Sequence, residues 1–249
     1  VTLGRFTADL HIHTCLSPCG DLEMAPTRIV EAALLRKLDI IAITDHNSAE
    51  NVGPVIQAAA GSPLTVLAGM EIATREEVHV ISLFPTYERA ADMQKKIYET
   101  LEKTGDQSMI DEQVIATEFD EVEGFCPYLL VGATPFGVRN LVDTVHEMGG
   151  LAIAAHIDRQ SFGIIGQLGF IPPRVAFDGL EVSRHLPLAE AHVRFPEYNR
   201  FPFVTSSDAH YLKDIGSVRT EFRLEAPDFH ELHRAFRGEN GRGISDTTS

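Results

Sequence analysis

Short apolar runs recur along the 249-residue chain, and segments with helical spacing separate most of them. Phe6–His13, Asp39–Thr44, Leu64–Ile72, Val78–Phe84, Leu151–Ala155, Gly179–Val182 and Phe203–Ser206 read as buried strands. Pro26–Lys37, Ala49–Ala59, Tyr87–Lys103, Val138–Met148 and Asp228–Phe236 read as helices. Thr27 is a poor start signal, but Pro26 followed by Ile29, Ala33 and Leu34 gives a first turn and an apolar face. Gly149-Gly150 ends a helix ahead of Leu151. The alternation implies an α/β domain over residues 1–237, with parallel strands and crossover helices in one barrel or wound sheet.

Two stretches depart from that rhythm. Residues 104–137 carry Asp111, Glu112, Glu118, Asp120, Glu121 and Glu123. They read as a peripheral insertion or lid, or more plainly as a solvated acidic helix and loop. Residues 238–249 are rich in Gly, Ser and Thr and are expected to fray.

Composition narrows the function. With 44% hydrophobic residues the chain can bury a core, and no run of about 18 or more apolar residues suggests a membrane span. Val1 to Asp9 lack the basic, apolar and small-residue layout of a signal peptide. Cys15, Cys19 and Cys126 cannot pair evenly, which suggests a reducing, cytoplasmic setting. The net charge of −15 argues against a broad groove for long nucleic acid. It leaves room for a small phosphorylated substrate, because bound divalent cations would dominate the local field.

The candidate chemistry sits at the ends of the strands. His11 and His13 are two apart, so on a strand both imidazoles face one side and can reach one metal. Ile40–Thr44 runs into Asp45-His46, Leu67–Met70 into Glu71, Ala152–Ala155 into His156, and Val204–Ser207 into Asp208-Ala209-His210. The C-terminal rim of a parallel barrel is where such enzymes build their sites. His79 lies near the start of a strand; it is either a core histidine or, if the Thr74–Glu77 turn brings it back beside Glu71, a further ligand. These nitrogen and oxygen donors suit Zn²⁺, Mn²⁺ or Fe²⁺. Glu71 is the candidate carboxylate to bridge two ions. Ser206-Ser207 beside Asp208 and His210 hints at a serine hydrolase, but the two serines read better as supports for a metal ligand. GxSxG, P-loop and GxGxxG motifs are absent.

Taken together, Asp9-Leu10-His11-Ile12-His13-Thr14, Thr44-Asp45-His46, Gly69-Met70-Glu71-Ile72, Ala155-His156 and Ser207-Asp208-Ala209-His210 resemble the polymerase and histidinol phosphatase (PHP) family. The resemblance implies a distorted seven-stranded β/α barrel with two or three metals at the strand C-termini. One metal would take His11, His13, Glu71 and Asp208. A second would share Glu71 and add His79 and His156. A third would use His46 and His210 with a ligand from the segment after His13. That ligand is often His or Asp in the family; here Cys19 stands eight residues after His11, and Asp21 follows. Asp45 would orient neighbours. The family often has Pro after His156, where this chain has Ile157-Asp158-Arg159.

Arg159 and Arg184 are candidates to bind a substrate phosphate through their planar forks, or else surface arginines paired with local acids. His210 or His185 would protonate the leaving oxygen, with Asp208 also in the catalytic set. The expected reaction is hydrolysis of a phosphate ester, with a compact phosphomonoester as the expected substrate, by metal-activated water. The rivals are a phosphodiesterase or 3′–5′ exonuclease on short oligonucleotides, an amidohydrolase-like C–N hydrolase, and a non-catalytic accessory domain.

Overall fold

The computed structural model describes residues 2–245. In chain order the elements are β1 (Gly4–Ile12), α1 (Pro26–Leu35), β2 (Ile40–Ile43), α2 (Val52–Ala58), β3 (Thr65–Ala73), β4 (His79–Phe84), α3 (Tyr87–Tyr98) and α4 (Gln107–Asp111). There follow β5 (Val114–Ala116), β6 (Val122–Phe125), α5 (Val138–Glu147), β7 (Leu151–Ala154), α6 (Ile164–Leu168), β8 (Gly179–Val182), α7 (Leu188–Arg194), β9 (Phe203–Thr205), β10 (Thr220–Leu224), α8 (Phe229–Phe236) and β11 (Gly243–Ile244).

The main sheet has the order β11-β10-β1-β2-β3-β4-β7-β8-β9. It curls into a nearly closed barrel, because Ile12 at the end of β1 bridges in parallel to Ala209 beyond β9. The Ala209 carbonyl accepts from the His13 N–H at 3.0 Å, and the His11 carbonyl accepts from the Ala209 N–H at 3.2 Å. Below that bridge β10 pairs antiparallel with the first half of β1, from Gly4 to Ala8. The seven expected strands are therefore present, with β10 and β11 added at the seam.

One expectation about direction needs correction. β4 runs antiparallel to both β3 and β7. The turn from Thr74 to Val78 is too short for a crossover, so the chain doubles straight back. This places the start of β4, and with it His79, at the rim where the parallel strands end.

Two apolar layers hold the barrel. Ala8, Leu10, Ile40, Ala42, Leu67, Ile81, Leu83, Ile153 and Val204 fill the interior, and Phe229, Leu232 and Phe236 of α8 pack against them. Ile41, Ile43, Met70, Val80, Ala154 and Leu180 face the surrounding helices. Alternation assigns the two faces of each strand. β1 changes parity: Leu10 belongs to the inner layer and Ile12 to the outer one. The switch coincides with a register shift against β2 between Asp9 and Ile12. A bulge at this point turns His11 and His13 to the inside.

The segment 104–137 forms α4 and the separate β5–β6 hairpin. Val114 and Ala116 pack on Cys15, and Cys126 and Leu130 on Leu16, so it is anchored on the loop after β1. The chain beyond Gly238, expected to fray, instead pairs as β11 with β10. Buried Arg242 holds it there, with Nε 2.6 Å from Glu231 Oε2 and a nitrogen 2.8 Å from Glu225 Oε2. Residues 246–249 lie outside the described residues.

Candidate metal centre

The strand ends bring one carboxylate and five imidazoles together. Glu71 closes the inner face of β3 and is 1% exposed. Its oxygens lie 2.9 Å from His79 Nδ1, 3.1 Å from His46 Nδ1, 3.1 Å from His156 Nε2, 3.3 Å from His11 Nε2 and 3.6 Å from His13 Nε2. Asp208 approaches from beyond β9, with Oδ1 3.2 Å from His13 Nε2, 3.4 Å from His11 Nε2 and 3.6 Å from His210 Nδ1. His156 (φ 28°) and Asp208 (φ 49°) both adopt left-handed backbone, which non-glycine residues rarely take. The strain aims their side chains inward from the strand ends.

Donor atoms gather in three groups: His11, His13 and Asp208; His46, Glu71 and His79; and His13, His46 and His210. Within each group the atoms lie within 4.8 Å of one another, close to twice a metal–ligand bond of ~2.0–2.3 Å. The residues fit divalent ions on two further grounds. The buried Nδ1 atom of His156 has no hydrogen-bond partner, although unpaired buried polar atoms are rare. The Nε2 atoms of His11 and His13 also face each other at 3.2 Å, an arrangement that a shared cation would relieve.

Supporting hydrogen bonds fix which nitrogen of each ring faces the centre. His11 Nδ1–H donates to Glu181 at 3.0 Å, leaving Nε2 toward Glu71 and Asp208. Ser17 Oγ donates to Asp45 Oδ1 at 2.7 Å and accepts from His13 Nδ1–H at 2.9 Å. His210 Nδ1–H donates to the Asp208 carbonyl at 2.9 Å, leaving Nε2 3.1 Å from Cys19 Sγ. Orienting partners of this kind set the tautomer and raise ligand basicity. Asp45 also accepts from the Thr14 N–H and Oγ, so it organises the whole loop after β1. Gly20 is required there, since a Cβ would sit 2.4 Å from the Thr14 carbonyl oxygen. Asp9 accepts from the backbone N–H groups of Ser207 and Gly216 and so anchors the loop that bears Asp208.

Burial opposes the charged form of every group here, and its neighbours decide the outcome. For Glu71 burial is outweighed by the charges of His79 and His11, which hold the carboxyl well below its ordinary range. Asp208 is likewise held well below it, by His11 and His13. His11 is raised well above the usual imidazole value because Glu181, Asp208 and Glu71 overcome its burial. His13 is lowered well below, by burial and the charge on His210. Burial alone would raise the Cys19 thiol, but hydrogen bonds with His210 and His46 bring it down to about 7.

The sequence candidates fall into two sets. His11, His13, His46, Glu71, His79, His156, Asp208 and His210 converge, and Cys19 stands beside His210. Asp21 turns away, its Oδ1 accepting from the Glu23 N–H at 2.8 Å. Cys19, His46, Glu71, His79, Val131, His156, Arg159, Phe162, Asp208 and His210 line a cavity of about 280 Å³. Arg159 Nη1 lies 2.7 Å from Asp208 Oδ2, with its side chain 38% exposed. Arg184 does not line this cavity; it pairs with Asp214 at 3.1 Å and borders a separate cavity with Thr7 and Arg219. His185 is exposed and is also absent from the lining. Ser206 and Ser207 are buried. Glu181 was missed as a site residue, although it too ends an apolar strand in a carboxylate; Asp9, Ser17 and Phe162 gave no such signal.

A family model for the PHP domain matches residues 9–162. The chain belongs to the PHP domain family. A PHP-associated model matches residues 193–240, which contain Asp208 and His210. This PHP chain is 34% identical over 112 residues to the uncharacterized protein YqxK of Bacillus subtilis, covering 42% of the chain and 28% of YqxK. It is 24% identical over 188 residues to a 5′-3′ exoribonuclease of Haemophilus influenzae, covering 59% of the chain and 68% of that protein. Its fold matches the lesion-specific endonuclease PfuEndoQ of Pyrococcus furiosus with a TM-score of 0.74 at 18% identity, covering 97% of the chain and 58% of that protein. The PHP chain thus spans well under two thirds of YqxK and of the endonuclease.

Proposed function

We propose that this chain hydrolyses phosphate esters with the help of two or three divalent ions, and that its preferred substrate is a small phosphomonoester. The observation that carries the reading is the Glu71 carboxylate, buried among five imidazoles beneath a cavity that Arg159 also lines. Zn²⁺, Mn²⁺ and Fe²⁺ all suit the donor set. Ions held there supply Lewis acidity and lower the pKa of water enough for attack at neutral pH.

The chain's own residues do the rest. In this reading His11, His13 and Asp208 would hold one ion, Glu71 with His79 and His156 a second, and His46 and His210 with Cys19 a third. Glu181, Ser17 and the Asp208 carbonyl keep His11, His13 and His210 in the tautomers that turn Nε2 inward. Arg159 has N–H groups left over after its contact with Asp208, and these suit a phosphoryl oxygen. Of the two histidines considered for protonating the leaving oxygen, His210 lines the cavity and His185 does not.

The small cavity and the net charge of −15 favour a compact substrate. A phosphodiester or nucleic-acid end is the second reading. The likeness to an endonuclease and an exoribonuclease favours it. Among the described residues no helix is long and apolar enough to cross a membrane. Three free cysteines suit a reducing, cytoplasmic setting. The test is a panel of phosphomonoesters, short oligonucleotides and an abasic duplex, assayed with metal-reconstituted protein. Higher kcat/KM on the monoesters supports the first reading, higher kcat/KM on the nucleic acids supports the second, and no turnover on any substrate refutes both.

A further inference from the structure

Arg184 reads from the sequence as a phosphate binder, yet it borders a second cavity, and that cavity has the features of a ligand site. Its volume is about 480 Å³, inside the roughly 300–1,000 Å³ typical of such sites. It opens at the barrel seam. Among the described residues β9 is the last strand of the main sheet, so its outer edge has no strand beside it. Thr220 Oγ1 bridges that edge instead, accepting from the Thr205 N–H at 2.9 Å and donating to the Thr205 carbonyl at 2.8 Å. One side chain spans the gap that a paired strand would fill. Thr205 of β9 and Glu221 of β10 both line the crevice that is left.

Two guanidinium groups face this crevice from different segments, Arg184 after β8 and Arg219 before β10. Each is held at one point. Arg184 Nη1 lies 3.1 Å from Asp214 Oδ2, and Arg219 Nη1 donates to the Arg36 carbonyl at 3.1 Å. A guanidinium carries five N–H groups in a planar fork, so both keep donors for an oxyanion. The acid on the lining, Glu221, pairs with Arg5 at 3.2 Å. Leu186, Leu188 and Val218 supply an apolar wall. The combination matters in a chain of net charge −15, whose overall field repels anions. An anion gains most here by meeting both arginines and burying an apolar body on that wall.

The crevice shares a loop with the metal centre. Asp214, Val218 and Arg219 follow Asp208 and His210 on the one connection between β9 and β10. Asp9 clasps that loop at two points, accepting from the Ser207 N–H at 2.9 Å and the Gly216 N–H at 2.8 Å. A ligand that draws Arg184 and Arg219 together therefore acts on the loop that positions Asp208.

We propose that this crevice is a second ligand site, for a small organic anion with a carboxylate or phosphate head and a short apolar body, and that its occupancy changes the metal affinity of the centre through the 206–219 loop. Arg184 and Arg219 clamp the head, and Leu186, Leu188 and Val218 receive the body. The site is separate from the hydrolytic centre, and the inference holds whichever phosphate ester is cleaved there.

The test titrates metal-loaded protein with butyrate, butyl phosphate and the neutral control butanol, following the backbone amides of Leu186, Val218 and Arg219 by NMR. At least one anion should shift these amides saturably, and butanol should not. The anion that binds more tightly identifies the head group. Arg184→Met and Arg219→Met should each weaken binding by about 10- to 150-fold, the loss expected for a charge-assisted hydrogen bond. Arg28 pairs with Glu23 on the surface, and Arg28→Met, which removes the same charge there, should leave binding unchanged. Saturating anion should change the Zn²⁺ affinity of wild type by about 5-fold or more, read by competition with a chromophoric chelator, and should not do so in Arg184→Met. Absence of saturable binding overturns the proposal. So does equal weakening by Arg28→Met, which would show only a general effect of charge. Binding without a change in Zn²⁺ affinity overturns the effector role. Neither readout uses turnover, so failure of the phosphoesterase reading shows separately, as wild type without hydrolysis of any ester.

Discussion

Glu181→Gln isolates the electrostatic part of metal binding from the packing of the site. Glu181 is 1% exposed and touches His11 Nδ1 through both oxygens, at 3.0 and 3.2 Å. It also accepts from the His156 N–H at 3.2 Å. Glutamine keeps the shape and one carbonyl acceptor for these donors, but it removes the negative charge, the strongest of the forces that raise His11 above its ordinary value. Loss of an orienting carboxylate of this kind weakens metal binding or activity by about 10- to 100-fold, or ~1.4–2.7 kcal/mol. Alanine would be a poor probe, since each buried donor left unpaired costs about 1–3 kcal/mol of stability. The assay is competition with a chromophoric chelator, with thermal unfolding of the metal-free protein as the control for folding. Wild-type metal affinity in Glu181→Gln would refute the assignment of His11 Nε2 as a ligand tuned through Glu181.

Cys19→Ser should lower metal stoichiometry at the His46 and His210 end while leaving the ions near Glu71 in place; unchanged stoichiometry and activity would remove Cys19 from the ligand set. Arg159→Ala should raise KM with little change in kcat if the arginine binds ground state and transition state alike, and steady-state kinetics will show the split. On the far side of the barrel, His146 Nε2 lies 2.8 Å from Asp178, and that hydrogen bond raises the imidazole pKa above 6.5. A raised pKa gives stability that is present below the unfolded value and lost as pH rises through the folded one. His146→Gln should therefore destabilise the protein more at pH 5.5 than at pH 8.5, by up to about 1 kcal/mol for this partly exposed pair, as read by urea denaturation.

Much of the centre was readable because each ligand ends a short apolar run, and a barrel gathers strand ends at one rim. The direction of β4 could not be taken from its own residues, since an apolar run has no polarity; the short Thr74–Val78 connection fixes it. β10 was overlooked although Thr220, Phe222 and Leu224 are buried and alternate with the more exposed Glu221 and Arg223, the pattern of a half-buried strand. The composition of residues 238–249 suggested fraying, whereas burial of Arg242 depends on Glu225 and Glu231, partners that local composition does not reveal. Arg184 and His185 looked plausible because they follow a strand that ends near the site, but the chain turns outward after Val182 and carries both away from the cavity. The roles of Asp9 and Ser17 arise from contacts between distant segments, which leave no periodic signal.

The central claim is that Glu71 joins two metal positions. Metal content by plasma emission spectroscopy, measured on wild type and Glu71→Gln alongside hydrolysis of a phosphomonoester before and after chelation, tests it most directly. The account predicts at least two divalent ions per wild-type chain, loss of turnover on chelation with recovery in Mn²⁺ or Zn²⁺, and a folded Glu71→Gln variant that loses both metal and activity. Full turnover by metal-free protein, or wild-type metal content in Glu71→Gln, would contradict it.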